Sequence, residues 1–256
     1  MQATRKIAVA GATGRVGRYV VEVLEAAGHD VVPMARSTGV DVVTGAGLAE
    51  ALAGVECVID TATGASPEQQ AATEFFTAAA RNLHAAGERA GVQRMVVVSI
   101  IGTDRYAGGY GVAKQVHERE MLAGPVPTTV VRAAQFHELV PLLIEWGRRG
   151  DVSYVPKMRT QLVAARTVAE VLADVATTGT AIAEIAGPRE ERFVEMAALL
   201  VARRGESLRV EEVSEPDDPD SELAASGGLL PGPDAKLAGP TFEEWLAAGE
   251  ADHARR

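Results

Sequence analysis

The sequence predicts an α/β fold, a doubly wound parallel sheet covered by helices on both faces. Apolar runs of strand length alternate with alanine-rich stretches at helical spacing through the first half of the chain. The run Arg94–Ser99, RMVVVS, is apolar almost throughout, as in a central strand buried on both sides. Strands joined by helices pair in parallel through right-handed crossovers, which places helices on both faces of one sheet.

The elements of the first half follow in a regular order. The predicted strands are Lys6–Ala10, Val31–Met34, Val40–Val43, Glu56–Asp60, Arg94–Ser99 and Thr128–Arg132. The predicted helices between them are Val16–Ala27, Pro67–Ala90 and Tyr110–Leu122. After Arg132 the alternation becomes irregular. Helical patterns lie at Phe136–Arg148, Thr167–Thr177 and Phe193–Arg203, with β-like pieces at Asp151–Val155 and Ala181–Ile185.

The last part of the chain has a different composition. Ser214–Pro240 is rich in Pro, Gly, Asp and Ser, which predicts a loop. Its acidic stretch PDDPDSE is interpreted as a solvated surface in preference to a binding element. A short helix, Thr241–Ala248, is expected to follow, capped by Thr241 and docked by Trp245.

Composition and charge exclude several classes of protein. The net charge of −10 argues against a nucleic-acid binder, which needs a basic face. The single cysteine, Cys57, lies in an apolar run and is expected to be buried, so no disulfide framework is expected. No secretory segment and no apolar stretch of membrane-spanning length are found, which favours a cytoplasmic location without a membrane partner. Four lysines among 25 basic residues, with abundant alanine, are typical of a GC-rich bacterial genome.

A glycine-rich segment between the first strand and the first helix predicts a dinucleotide-binding loop. Glycines permit a tight turn and close approach of the backbone, and the helix N-terminus presents N–H groups to a pyrophosphate. A purely steric turn is the alternative, but the strand–loop–helix context favours the cofactor. The expected contacts are Gly11, Thr13, Gly14, Arg15, Val16 and Gly17.

The end of the second strand indicates which dinucleotide is preferred. An acid there would bind an adenosine ribose and repel a 2′-phosphate. This chain has Arg36 and Ser37 instead, with Arg15 in the glycine loop as a second cation. A guanidinium binds phosphate through a forked pair of donors. NADP(H) is therefore preferred over NAD(H), the alternative being that Arg36 merely projects into water.

Ser99, Tyr110 and Lys114 form a candidate catalytic set. Tyr110 and Lys114 have the Tyr-x-x-x-Lys spacing, which places both on one helix face, shortly after a strand that ends with Ser99. A phenol has a pKa of about 10, and a nearby ammonium would lower it toward the range useful for proton donation. An exposed Tyr–Lys pair without a catalytic role is the alternative.

Four segments together resemble the NmrA-like, NAD(P)H-binding short-chain dehydrogenase/reductases: GATGRVG, ARNLHAAGERAGVQRMVVVSIIG, YGVAK and TTVVRAAQFHEL. The ending GLLPGPDAKLAGPTFEEWLA is similar to bacterial members of the group. The resemblance implies one NAD(P)-binding domain over 1–256. Its Rossmann core would span 1–135, and a small C-terminal substrate lobe most of 136–256, with about 181–186 returning to the core sheet.

The same resemblance implies further contacts with the cofactor. Asp41 and Val42 would border the adenine, and Thr61 and Ala62, at the end of the fourth strand, would face the cofactor. Asn82 matches the helix asparagine of extended reductases. The segment that closes over the nicotinamide would comprise Ala134, Gln135 and Phe136.

Two functions remain in view, while a third, an epimerase-like extended enzyme on nucleotide sugars, is disfavoured because nothing after Arg132 resembles a basic diphosphate clamp. One is an NADPH-dependent reductase of a ketone, enone or quinone in a moderately apolar small molecule, in which Tyr110 supplies the proton. In it Lys114 binds the nicotinamide ribose and lowers the pKa of that phenol, while Ser99 holds the substrate oxygen. The other is a non-catalytic redox sensor that reads NADP(H) and binds a partner protein. No histidine pair has metal-ligand spacing, and His137 is expected to be packed or capping in preference to a pocket proton carrier. Oligomeric state cannot be read from the sequence.

Overall fold

The computed structural model describes residues 4–214 and 217–249. Within them, seven parallel strands form one sheet in the order β2-β1-β3-β4-β5-β9-β12. In that order the strands are Asp30–Met34, Lys6–Ala10, Cys57–Asp60, Arg94–Ile100, Thr128–Ala133, Glu184–Ala186 and Lys236–Leu237. The chain runs from β1 to β2 on one side of β1 and then crosses over to β3 on the other side. That reversal opens a crevice beyond the carboxyl ends of the strands, where α/β sheets bind ligands.

Helices cover both faces of this sheet. One face packs against α1 (Gly17–Ala26) and α6 (Ala165–Thr178) through a core that includes Ile7, Val9 and Leu172. The opposite face carries α2 (Leu48–Ala51), α3 (Gln69–Ala90) and α4 (Gly109–Ala123). Side chains alternate along each strand, so neighbouring residues of β1 enter different cores: Ala8 joins the second and Val9 the first. The doubly wound α/β fold predicted from the sequence is confirmed.

A third core lies in the C-terminal part. It is built by α5 (Val140–Trp146), α7 (Phe193–Arg203) and α9 (Phe242–Ala247). Beside it a small sheet joins β6 (Arg148–Arg149), β7 (Val152–Pro156) and β11 (Arg209–Val213), and a two-stranded pair joins β8 (Arg159–Thr160) and β10 (Glu191–Arg192). The remaining helix, α8, spans Ser221–Ala225. Thus α6, β9 and β12, which all follow Arg132 in the chain, belong to the central layers.

Most predicted elements are observed within one to three residues of their ends, with two exceptions. Val40–Val43 forms no strand; it is a turn, in which Asp41 Oδ1 accepts hydrogen bonds from the Val43 and Thr44 amides. The apolar side chains of Val40 and Val42 are nevertheless buried, which explains the misleading pattern. The long helix predicted at Phe136–Arg148 is a 3₁₀ turn, His137–Leu139, followed by α5.

The loop predicted at 214–240 contains more structure than its composition suggested. It holds α8 and β12, although its residues 215 and 216 lie outside the described part. The final helix agrees with prediction: Thr241 Oγ1 accepts from the Glu244 amide 3.2 Å away, and Trp245 is buried. Cys57 is fully buried, as expected. No helix among the described residues is long and apolar enough to cross a bilayer.

Candidate dinucleotide site

The glycine loop is shaped by close backbone packing at the exit of β1. Gly11 has a φ of 74°, and a Cβ there would lie 2.8 Å from the Ala62 Cα. A Cβ on Gly17 would collide with the Gly11 carbonyl oxygen. These two glycines are therefore required by the fold itself, whatever the loop binds.

Gly14 differs from its two neighbours because its side-chain position faces outward. A Cβ there would meet a single protein atom, the Gly11 carbonyl oxygen, at 3.0 Å. Helix α1 begins close by at Gly17 with no side-chain cap and no acid in its first turn. An uncapped helix N-terminus behind an open glycine is suited to a pyrophosphate, since its N–H groups and dipole face the charge. The loop residues present thus fit a dinucleotide.

The exit of β2 provides a cation where a ribose-binding acid would stand. Arg36 opens a 3₁₀ turn, Arg36–Thr38, and its side chain is exposed, as are those of Ser37 and Arg15. Neither arginine takes part in an ion pair within the described part of the chain, although most other arginines do. Both are available to a phosphate.

The exit of β3 forms the opposite wall of the loop. Thr61 Oγ1 donates to the Ala10 carbonyl oxygen at 2.8 Å, and Asp60 Oδ1 accepts from the Ala62 amide at 2.9 Å. Thr61 and Ala62 were expected to follow a fourth strand, but they follow the third because no strand forms at Val40–Val43. Nearby, Asn82 Nδ2 donates to the Val42 and Val43 carbonyl oxygens, at 3.0 and 2.6 Å. Asn82 therefore fixes the turn on which the adenine contacts were predicted.

Ser99 and the residues after β5 lie at the same edge of the sheet. Ser99 is the penultimate residue of β4, buried, with Oγ 3.3 Å from the Thr103 Oγ1. Beyond β5, the Gln135 side-chain oxygen accepts from Thr160 Oγ1 at 2.6 Å, and Phe136 pairs with Val163 in a β-bridge. The Ala134–Phe136 segment is thereby joined to the C-terminal part of the chain.

Tyr110 stands in the first turn of α4 and packs edge-on against Phe76, with ring centroids 5.8 Å apart. Burial, and secondly the negative charge of Asp60, raise the pKa of Tyr110 to about 12. This differs from the expectation that Lys114 lowers the pKa of the phenol. Tyr110 therefore stays protonated near neutral pH.

Lys114 is turned into the protein interior. It is 4% exposed, and its Nζ donates to the Val98 carbonyl oxygen at 2.8 Å and lies 2.9 Å from His117 Nδ1. The Nζ also lies 4.7 Å from the centroid of the Phe76 ring. Phe76 thus contacts both Lys114 and Tyr110, and the ammonium bonds to the protein interior in place of the phenol.

The bonds of Lys114 continue to an acid at the glycine loop. His117 Nε2 lies 3.0 Å from Asp60 Oδ2, and the His117 ring stacks on Phe76 with centroids 4.4 Å apart. Burial lowers the pKa of Lys114 to about 8. Burial and the Lys114 ammonium lower the pKa of His117. The bonds are satisfied by a charged lysine, a neutral histidine that accepts at Nδ1 and donates at Nε2, and a carboxylate. Burial would raise the pKa of Asp60, but the His117 bond and nearby charges hold it below its usual value.

The sequence analysis missed His117 and Asp60. A signal for them existed: His117 stands three residues after Lys114 on one helix face, and Asp60 ends a buried strand. Glu118 and Glu120 flank Arg119 in a charged run that is typical of a solvated helix face, but this expectation is wrong for Glu118. It is 7% exposed and accepts from Arg132 at 2.7 Å, because α4 packs there against β5.

His137 is packed, as predicted. It is fully buried against the rings of Phe242 and Trp245, and burial lowers its pKa to about 4. Within the described residues, no group of three or more His, Cys, Asp or Glu side chains could hold a metal ion. The polar side chains near the sheet edge include the hydroxyls of Ser99 and Tyr110, with the buried groups of Lys114, His117 and Asp60 close by.

The sheet, its switch point and the glycine loop define a dinucleotide-binding protein of the α/β class. Residues 11–178 match the sequence model of a family described as NAD(P)H-binding. The chain belongs to that NAD(P)H-binding family, and the recognition made from the sequence is confirmed. No curated protein sequence matches the chain.

Solved structures share the fold over nearly the whole chain. The NADPH-dependent quinone oxidoreductase QOR2 of Escherichia coli, complexed with NADPH, is 19% identical, with a TM-score of 0.66 over 94% of this chain and 99% of that one. A short-chain dehydrogenase/reductase superfamily protein of Agrobacterium tumefaciens with bound NAD is 18% identical, with a TM-score of 0.66 over 95% of each chain. MoeE5, in complex with UDP-glucose and NAD, is 21% identical, with a TM-score of 0.67 over 94% of this chain and 96% of that one. The fold is thus that of NAD(P)-dependent oxidoreductases.

Proposed function

We propose that the protein is an NADPH-dependent reductase of a quinone, enone or ketone in a moderately apolar small molecule. One observation carries the proposal: the candidate residues follow one another along the carboxyl edge of a single sheet. Arg36 follows β2, the glycine loop follows β1, Thr61 follows β3 and Ser99 is the penultimate residue of β4. From β2 to β4 is three strand spacings, about 14 Å, a span suited to an extended dinucleotide.

The preference for NADPH rests on charge. Arg36 and Arg15 are exposed and free of ion pairs within the described residues, and the chain has no acid at the end of β2. A 2′-phosphate would be attracted by both guanidiniums, whereas a bare ribose would find no carboxylate. Related folds carry NADPH in one case and NAD in others, so the cofactor preference is a property of this chain's own residues.

The reaction divides between the cofactor and the protein. NADPH, when bound, supplies a hydride. Ser99 and Tyr110 would position the substrate oxygen, and the Tyr110 phenol, which keeps its proton, would donate it to a forming alkoxide. Lys114 would support the structure of the site through its bonds to Val98 and His117, and it would not lower the pKa of the phenol.

Among the three substrate types, a quinone places the smallest demand on this site. Hydride addition to a quinone gives a hydroquinone anion, whose phenolic oxygen has a pKa of about 10 and takes a proton readily from water. A ketone gives an alkoxide, a much stronger base that needs a positioned acid. The high pKa of Tyr110, about 12, leaves it able to protonate an alkoxide and superfluous for a quinone. The similarity of fold to a quinone oxidoreductase also supports a quinone, ahead of a ketone, as the substrate.

The test is a screen of quinones and polycyclic ketones that follows the loss of NADPH absorbance. Turnover of at least one acceptor, faster with NADPH than with NADH, would support the proposal. Tight NADP(H) binding without turnover of any acceptor would contradict it.

The second candidate function is the redox sensor that binds a partner protein. One observation favours it: Ser99 pairs with Thr103, and Lys114 pairs with Val98 and His117, so the bonds of these two side chains join neither of them to Tyr110. A sensor has no chemical need for hydrogen bonds that join Ser99 and Lys114 to Tyr110. The same screen separates the two functions, because a sensor binds the cofactor and leaves it unoxidised.

A further inference from the structure

A cleft in the C-terminal part combines aromatic walls with unpaired cations. It has a volume of about 380 Å³ and lies between the end of α5, β7 and the segment before α4. Its aromatic and apolar walls include Tyr106, Trp146, Tyr154 and Met158, and its basic residues are Arg149 and Lys157. We call these six residues the aromatic cleft.

The exposure of its aromatic side chains is unusual for this chain. Aromatic residues make up only 4% of the sequence. Trp146 is 61% exposed and Tyr154 40%, and the other large apolar side chains that stand exposed in the described part are aliphatic. Exposed aromatic rings that share one concave surface are typical of a binding site for a flat apolar ligand.

The basic and acidic side chains of the cleft differ in their partners. Arg149 donates to the backbone carbonyls of Trp146 and Arg148, and neither it nor Lys157 forms an ion pair within the described residues. The two acids that also line the cleft are already engaged. Asp220 accepts from the Ala107 and Gly108 amides at 2.7 and 3.1 Å, and Asp218 accepts from the Asp220 amide at 3.0 Å. The described lining thus carries two positive and two negative charges, but the carboxylates are held by backbone amides and neither forms an ion pair with Arg149 or Lys157, so both cations are available to an anion.

Tyr106 connects the cleft to the proposed reaction site. It stands between Ser99 and Tyr110 in the chain, and its ring packs where a side chain on Gly111, in the first turn of α4, would lie. Gln115 Nε2 donates to the Tyr106 carbonyl oxygen at 2.7 Å and fixes this wall. Burial, followed by the charges of Asp220 and Asp218, raises the pKa of Tyr106 to about 12, so its hydroxyl stays a hydrogen-bond donor.

We propose that the aromatic cleft binds a planar aromatic substrate with an anionic substituent, such as a sulfonate, carboxylate or phenolate. The rings would stack on Trp146 and Tyr154, the anion would meet Arg149 and Lys157, and a neutral oxygen would face Tyr106. This inference rests on the proposed function and specifies its substrate class. A neutral aromatic molecule would lose the attraction of the two cations, and a non-aromatic anion would lose the stacking.

The experiment measures binding without turnover. Anthraquinone sulfonate is the anionic probe and hydroxymethyl anthraquinone the neutral one, each titrated calorimetrically into the cofactor-free protein. The cleft variant is Arg149→Gln with Lys157→Gln. The matched control is Arg89→Gln with Arg119→Gln, which removes two exposed cations outside the cleft. Trp146→Ala and Trp146→Phe test the stacking wall.

The cleft variant should weaken the sulfonate about three- to thirty-fold, the range expected for two partly exposed charge contacts, and the neutral probe less than twofold. The control pair should change neither by more than twofold. Trp146→Ala should weaken both probes, and Trp146→Phe should retain most of the affinity.

Equal weakening of both probes by the cleft variant, or undiminished sulfonate binding, would overturn the inference. If quinones oxidise NADPH but the sulfonate shows no charge preference, the proposed reductase function stands and the inference about the cleft fails. If the charge preference is found but no acceptor oxidises NADPH, the cleft binds such ligands and the proposed reductase function is contradicted.

Discussion

Lys114 Nζ lies 2.9 Å from His117 Nδ1, one helical turn along α4, and the pair is closed off from water. Through His117 the lysine is joined to Asp60, which holds the Ala62 amide beside the glycine loop. The geometry of the loop therefore depends in part on the buried polar network formed by Lys114, His117 and Asp60. Such a network stabilises the fold only while every member keeps its partners.

Replacing His117 should expose that dependence. His117→Leu leaves Lys114 and Asp60 buried without their shared partner, and breaking a buried pair in this way costs about 3–5 kcal/mol. His117→Gln can still accept and donate, so its loss should be smaller, about 1–3 kcal/mol. Urea unfolding of both variants measures the difference. A leucine variant within about 0.5 kcal/mol of the parent protein would show that the network contributes little.

The lysine also predicts a dependence of stability on pH. Its pKa falls from 10.5 to about 8 in the folded protein, so between these values the unfolded chain binds more protons at this residue. The free energy of unfolding should therefore rise with pH, by up to about 1.4 kcal/mol per unit, and this contribution is lost as pH falls through 8. The Cys57 thiol opposes this slope, because its pKa is 9.0 in the unfolded chain and about 11 in the folded protein, so the lysine contribution is clearest below pH 9. Lys114→Met should abolish the slope, and Lys236→Met, at an exposed lysine, should keep it.

Cofactor preference is tested at Arg36. Arg36→Asp removes a phosphate partner and adds a like charge, so NADPH should bind about ten- to a hundred-fold more weakly, and NADH much less so. Arg89→Asp makes the same change in net charge on the exposed end of α3 and should affect neither cofactor strongly. Fluorescence titration of both cofactors is the measurement. An equal loss for NADPH and NADH would sink the assignment of Arg36 to the 2′-phosphate.

The glycine loop predicts a contrast between two valine substitutions. Gly14→Val should abolish cofactor binding while the protein stays folded, because the new side chain points outward past one carbonyl oxygen. Gly17→Val should instead lower the melting temperature, because its Cβ would collide with Gly11 and approach Thr61 Oγ1 to 2.7 Å. Calorimetry and thermal unfolding separate the two effects. Normal NADPH binding by the Gly14 variant would mean that the loop has been misassigned.

The role of Tyr110 should depend on the substrate. Tyr110→Phe keeps the ring that packs on Phe76 and removes the proton donor. With a ketone the loss should fall mainly on kcat and reach about 10²–10⁴-fold, whereas a quinone should lose less than about tenfold. Lys114→Ala should weaken NADPH binding as well as slow turnover, because Lys114 supports the loop through Asp60. A phenylalanine variant that reduces an active ketone at the parental rate would exclude Tyr110 as the acid.

The sequence by itself determined the sheet, the glycine loop and the family. Strand and helix periodicities differ, and glycines at a β1–α1 turn have few alternative explanations, so β1, α1, β4 and β5 could be placed from local pattern alone. The same local reasoning misled at Val40–Val43, because burial of alternate side chains in a turn has the signature of a strand.

Only the tertiary structure decided where Lys114 directs its ammonium. Helical spacing places Tyr110 and Lys114 on one face, but it cannot show that Phe76 of α3 packs against both or that Asp60 of β3 attracts the lysine through His117. These contacts join residues up to 57 positions apart in the chain, as Asp60 and His117 are. The aromatic cleft is likewise assembled from segments on either side of β5, whose approach depends on packing and not on local periodicity.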